Sequence, residues 1–173
     1  MNLNKYPREL SRGSNNVVIA LSKTEAGKVF TPESRVEISV EASNMKYANK
    51  INDLVVKFIR IDIENDNQIL IMERLNIFEP RNFEIEAREV MYRIFLEKLK
   101  ELHKNGFVHR DIKRPLGFGG KPFDNLIFTS EGIRLIDVGI SALKENAGED
   151  IFKRYIEADL KETEKFFTYM MEV

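Results

Sequence analysis

From Glu84 to Lys104 the apolar residues fall at Ala87, Met91, Phe95, Leu99 and Leu102. Steps of three and four place them on one stripe and predict a long amphipathic helix. Gly106 is well placed to end it, because glycine enters a left-handed cap without a Cβ clash. What precedes this helix differs in character. NVVIAL (16–21) and AGKVF (26–30) are β-branched runs on either side of a polar SKTE, and they predict an antiparallel hairpin. Thr31-Pro32-Glu33 predicts a helix start, with a capping hydroxyl, a proline at the first helical position and an acid in the first turn. That helix is expected to run to about Asn49. Two strands, 54–63 and 68–72, follow around the turn ENDN. Beyond the long helix, LIF (126–128) and IRLID (133–137) flank the turn TSEG, and a last helix is expected from about Asp150 to Met171. The order predicts an α+β fold.

Composition narrows the function classes. A chain of 173 residues with 43% hydrophobic content is long enough to bury a core. Basic and acidic residues nearly cancel, at a formal charge of -1, which argues against a general nucleic-acid binder or a membrane-surface binder. With no cysteine there is no disulfide, thiol nucleophile or cysteine metal site. No apolar run approaches the roughly 18 residues of a membrane span. MNLNKYPREL lacks the apolar core of a signal peptide, so the expected location is the cytoplasm, or a host cell reached without a cleavable signal.

The chemistry-bearing stretch is FVHRDIKRPLGFGGKPFDNLIF (107–128), followed by LIDVG (135–139). His-Arg-Asp, a downstream Asn and Asp-Val-Gly, in that order after a β-β-α-β-β segment and a helix ending LHKNGFVHRD, resemble the core of the eukaryotic-like protein kinase superfamily. The resemblance is to a minimal member, such as the bacterial secreted effector kinases or the compact kinase of the KEOPS complex. It implies a two-lobed fold, residues 1–75 forming an N-lobe and 76–173 a reduced C-lobe without the activation segment and last helices. It further implies ATP with Mg²⁺ or Mn²⁺ as cofactor and Ser/Thr phosphorylation, on the chain itself or on a protein partner, with a protein substrate or an activating protein as the expected partner.

Phosphoryl transfer mainly needs positioning and charge neutralisation. By resemblance, Asp111 accepts the acceptor's proton and Lys113 neutralises charge on the moving phosphate. Asp137 holds the metal. The family's metal-binding Asn would stand at position 116, which is Leu here. Asn125 is the nearby candidate, with Asp124 as an alternative, so the catalytic loop reads as one opened by an insertion near 115–123. Ala26-Gly27-Lys28 matches the family's Ala-x-Lys strand. Lys28 would bridge two phosphates, and Ala26 and Val18 would roof the adenine. Glu37 or Glu41 would pair with Lys28, and spacing favours Glu41. Gly13 stands at the middle of a phosphate-covering loop whose outer glycines are replaced by Ser11 and Asn16. Met72 resembles the gatekeeper, Glu73 to Leu75 the hinge, and Ile127 the adenine floor. Asp159, in ADLKETEKFF, would brace the His-Arg-Asp backbone. Arg110 would lack its usual phosphate partner, since Ser141 is the one Ser/Thr hydroxyl between Gly139 and Asp159. The rival readings are a pseudokinase that acts as a scaffold, and a KEOPS-like ATPase or small-molecule kinase.

Overall fold

A five-stranded antiparallel sheet, in the order β1-β2-β3-β5-β4, occupies the first half of the chain. The computed structural model describes residues 6–12, 16–31, 34, 36–64, 67–113 and 121–173. Strands β2 (Asn16–Ala20) and β3 (Glu25–Phe30) form the expected hairpin. Its turn is closed by Ser22, whose Oγ accepts from the amides of Thr24 (3.1 Å) and Glu25 (2.9 Å). Strand β1 (Arg8–Arg12) was not expected, because all five of its residues are exposed and RELSR carries no buried-face alternation. Gly13, the centre of the expected phosphate loop, lies outside the described residues.

Helix α1 (Ile38–Asn49) ends where expected but starts later than Thr31. The reason is local. Ser34 donates its amide to the Thr31 carbonyl (2.9 Å) and accepts the Thr31 amide on Oγ (3.0 Å), while that hydroxyl donates to Asn16 Oδ1 at 2.7 Å. Thr31 and Ser34 are thus bound to each other and Ser34 to β2, Pro32 and Glu33 lie outside the described residues, and Glu37 becomes the N-cap. Strand β4 (Phe58–Glu64) is also shorter than the expected 54–63, whereas β5 (Asn67–Glu73) matches its expectation within a residue at each end. Leu54, Val55 and Val56 instead run against the second half of the chain. The Val56 amide donates to Leu135 O and the Leu135 amide to Leu54 O, both at 2.8 Å.

Helix α2 (Ile85–Lys104) buries Phe95, Leu99 and Leu102, and Gly106, at φ 84°, turns the chain after it. Strands β6 (Phe107–Val108), β7 (Leu126–Thr129), β8 (Gly132–Leu135) and β9 (Ala142–Leu143) follow, β7 with β8 as a hairpin and β6 with β9. The four-residue α3 (Lys144–Ala147) leads into α4 (Glu149–Glu172). The fold is mixed α+β. One buried cluster, including Met45, Leu70, Phe95, Leu99, Leu135, Val138 and Phe166, draws on residues from both sides of position 75. Among the described residues, no helix is long and apolar enough to cross a membrane.

Candidate functional site

Strand pairing decides which side chains share a face. Residues directly opposite across an antiparallel ladder point the same way. Val18 pairs with Lys28, Ala26 with Met72, and Lys28 with Leu70. Val18, Ala26, Lys28 and Met72 therefore lie on one face of the sheet, the face that meets α1. Gly27 points the other way, where a Cβ would come within 2.8 Å of Ile69 Cγ2, so only glycine fits between Ala26 and Lys28 without a shift.

On that face Lys28 Nζ donates to both carboxylate oxygens of Glu41, at 2.9 and 2.8 Å, and to Asp137 Oδ1 at 2.9 Å. Lys28 is 6% exposed and Glu41 3%, whereas the Asp137 side chain is 43% exposed. Glu41 is thus the partner of Lys28; no contact places Glu37 there. Burial pulls the Lys28 pKa down, but the charges of Glu41 and Asp137 outweigh it and hold the ammonium above its ordinary range. Burial pushes Glu41 up, and the lowering effect of Lys28 does not overcome it because Asp137 adds a second negative charge. Burial is thus the leading cause for Glu41, and the charge of Asp137 adds to it, whereas for Lys28 the two carboxylates together outweigh burial. A carboxyl raised in the folded state contributes stability that is full below its unfolded pKa and is lost as pH rises through the folded value. Glu41→Gln removes that dependence. Urea unfolding between pH 4 and 7.5 is therefore expected to show wild type gaining on the variant as pH falls. A gap that stayed constant or closed would contradict this.

The loop after β6 supplies the second group. His109 is fully buried. Its Nδ1 accepts from the Asp111 amide (3.2 Å), which leaves Nε2–H to donate to Ile136 O at 3.0 Å. Asp159, 2% exposed on α4, accepts the His109 and Arg110 amides, both at 2.8 Å, and faces His103 Nε2 at 3.3 Å. Arg110 has φ 71° and Asp137 has φ 58°, the two non-glycine residues in the left-handed region among those described. Such conformations cost energy and persist where surrounding bonds enforce them. The Arg110 guanidinium lies 4.2 Å from the Tyr155 ring centroid and donates to Ile140 O at 2.9 Å.

Asn125, 3% exposed, donates from Nδ2 to the Asp111 carbonyl (2.8 Å) and to Asp111 Oδ2 (2.9 Å). The β7–β8 hairpin carries the connection further. Leu126 pairs with Leu135, and the Ile136 amide donates to Asn125 O at 3.0 Å. Asn125 therefore stands across from Ile136, beside Asp137. In this way the hairpin joins the Asp111 pair to the Lys28 cluster. Asn44, on α1, holds the turn at Asp137 by donating to Val138 O at 2.8 Å.

The expected insertion is anchored at its far end. Residues 114–120 lie outside the description, but Phe123 is 7% exposed and packs on Phe166 (5.3 Å) and Tyr169 (5.2 Å). Lys113 Nζ sits 5.9 Å from the Phe123 ring, and Lys121 pairs with Glu79. Among the hinge candidates, the Glu73 carboxylate accepts the Lys57 amide at 2.7 Å and pairs with Arg134. Leu75 is half-buried against the core. Ile127 points to the opposite face of β7 from the buried Leu126 and Phe128.

Two open surface hollows, one bounded by Tyr47, Gly106 and Lys144 and the other by Asn49, Asn52 and Arg134, lie away from Lys28, Asp111 and Asp137. Convergence of charge marks the candidate site. Sequence reading missed the Arg110–Tyr155 stack. Its available signal was that Tyr155 sits one helical turn before Asp159, on the same face of α4. No protein-family model matches the chain, and no curated protein matches it significantly.

Proposed function

We propose that the chain is a minimal protein-kinase-like phosphotransferase, with a two-lobed organisation in which the sheet and α1 form one lobe and the rest a reduced second lobe. The observation that carries this reading is the joint arrangement of Lys28–Glu41–Asp137 with Asp111–Asn125 through one hairpin. A cluster with two carboxylates and one lysine suits a hard divalent cation with oxygen ligands, and the Asp137 side chain is 43% exposed. Mg²⁺ is commonly held by one or two carboxylates together with substrate phosphates.

In this reading Asp137 and Asn125 would hold the Mg²⁺, which supplies charge neutralisation on the phosphates of ATP. Lys28, released from Asp137 but still oriented by Glu41, binds phosphate oxygens. Asp111, oriented by Asn125 Nδ2, takes the proton of a Ser or Thr hydroxyl on the chain itself or on a protein partner. Lys113 neutralises the transferring group. Val18, Ala26 and Met72 line the sheet face above, and Ile127 lies on the free face of β7.

The test is incubation of the purified protein with γ-labelled ATP and Mg²⁺, reading phosphoprotein and free phosphate separately. Asp111→Asn is expected to lower transfer by at least about a hundredfold, the lower range for losing a positioned base, with an unchanged melting temperature. Turnover that survived in Asp111→Asn would remove the assigned role. A second reading, a nucleotide-binding scaffold without turnover, is favoured by the direct Lys28–Asp137 contact, since the chain itself neutralises the lysine. Thermal stabilisation by ATP-Mg²⁺ without label would select it, and free phosphate without phosphoprotein would select an ATPase.

A further inference from the structure

The two edges of the five-stranded sheet are unlike. Edge strand β1 carries Arg8, Glu9 and Arg12, and its register slips between Glu9 and Ser11. This strand is five residues long and offers one exposed apolar side chain, Leu10, to a neighbour. Edge strand β4 pairs with β5 on one side and with no strand among the described residues on the other. It is seven residues long, contains no proline, and exposes Ile59 (38%), Ile61 (39%) and Ile63 (73%). Its one irregularity lies between Phe58 and Arg60, so the ladder from Arg60 onward is regular. A long apolar edge of this type is a template for another strand.

We propose that β4 is a self-association edge, and that its occupant is the β4 strand of a second copy, added antiparallel about a two-fold axis at Ile61. The charge pattern selects this partner and this register. Opposite residues in an antiparallel pair must share a face, so only registers shifted by two residues compete. Pairing β4 with itself about Arg60 sets arginine against arginine, and pairing about Asp62 sets aspartate against aspartate. Pairing about Ile61 sets Ile61 against its own copy and each Arg60 opposite the second copy's Asp62, all within the regular part of the ladder; Ile59 is the bulged residue and stands outside this register. Within one chain Arg60 already donates to Asp62 at 2.9 Å and to Glu25 at 2.8 Å, which holds its guanidinium along the outer face of the edge. The two-fold repeat extends this into an alternating ladder of four charges, and closed symmetry ends the assembly at two copies. The proposal does not depend on the catalytic reading.

The absence of cysteine makes the register testable by cross-linking. Ile61→Cys places two thiols directly opposite, within disulfide reach. It is expected to give a covalent dimer on mild oxidation, whereas Ile63→Cys alone gives little. Sedimentation of the untagged wild type is expected to show a concentration-dependent dimer. Asp62→Arg, which sets like charges opposite at two symmetric points, should weaken that dimer on the order of tenfold or more. Melting curves of each variant under reducing conditions identify any loss due to misfolding, and Ile61→Cys supplies the answer independently of Asp62→Arg. A wild type that stays monomeric at every concentration and fails to cross-link through Ile61→Cys overturns the proposal. So does better cross-linking through Ile63→Cys alone than through Ile61→Cys, or growth into open polymers.

Discussion

Asp159→Ala is expected to lower the unfolding free energy by about 3–5 kcal/mol, since it strands two backbone donors, each worth about 1–3 kcal/mol when left unpaired inside a fold. The carboxylate accepts the amides of His109 and Arg110 at 2.8 Å and is 2% exposed, so water has little access to replace it. The loss also releases Arg110 from φ 71°, a conformation that costs a β-carbon-bearing residue about 1–2 kcal/mol. Relaxation there would recover a little stability while moving Asp111, the next residue. Asp159→Asn keeps one acceptor oxygen and should fall between wild type and alanine. Urea unfolding reads the energy, and hydrogen exchange at the His109 and Arg110 amides reads the mechanism. A loss under about 1 kcal/mol, the worth of a single ordinary hydrogen bond, would show that these donors find other partners.

Phe166→Ala is expected to cost about 3–5 kcal/mol, the usual range for emptying a buried phenylalanine site. Its ring is 1% exposed and stands among Phe95 (6.0 Å), Phe123 (5.3 Å) and Phe128 (5.9 Å). These neighbours come from α2, from the far end of the expected insertion, and from β7, three pieces that cannot close on the cavity together. Because Phe123 also lies under Lys113, the variant should lose proteolytic resistance around residues 113–123 before the rest of the fold. Phe166→Leu should lose less than half as much. Equal losses for the two variants would mean that ring packing is not what holds this region.

Regular periodicity made much of the fold legible. Helix α2 was readable because Phe95, Leu99 and Leu102 repeat with the turn of a helix and are buried. The β7–β8 hairpin was readable because two short β-branched runs flank a turn. Strand β1 was not, because an exposed edge strand places no constraint on which of its residues are apolar. Leu54 to Val56 looked like the start of β4 because a fully buried connector and a buried strand share the same apolar composition. The candidate site was drawn from resemblance and not from local pattern. Nothing local in the sequence says that Asn125 returns to Asp111, since that contact depends on hairpin register. Nor does it say that Asp159 reaches back to His109, a bond between an α4 side chain and the start of a distant loop.

The contacts at Asp111–Asn125 and Phe123–Phe166 have a consequence for how the chain can vary. They fix the stretch between them at both ends, by hydrogen bonds on one side and by ring packing on the other. The relative position of those ends does not depend on what is strung between them. Lengthening a closed loop costs only about 0.6 kcal/mol for each doubling of its length. With both flanks held in this way, the number of residues between Lys113 and Lys121 can change at small entropic cost while Asp111, Asn125 and Asp137 keep their places.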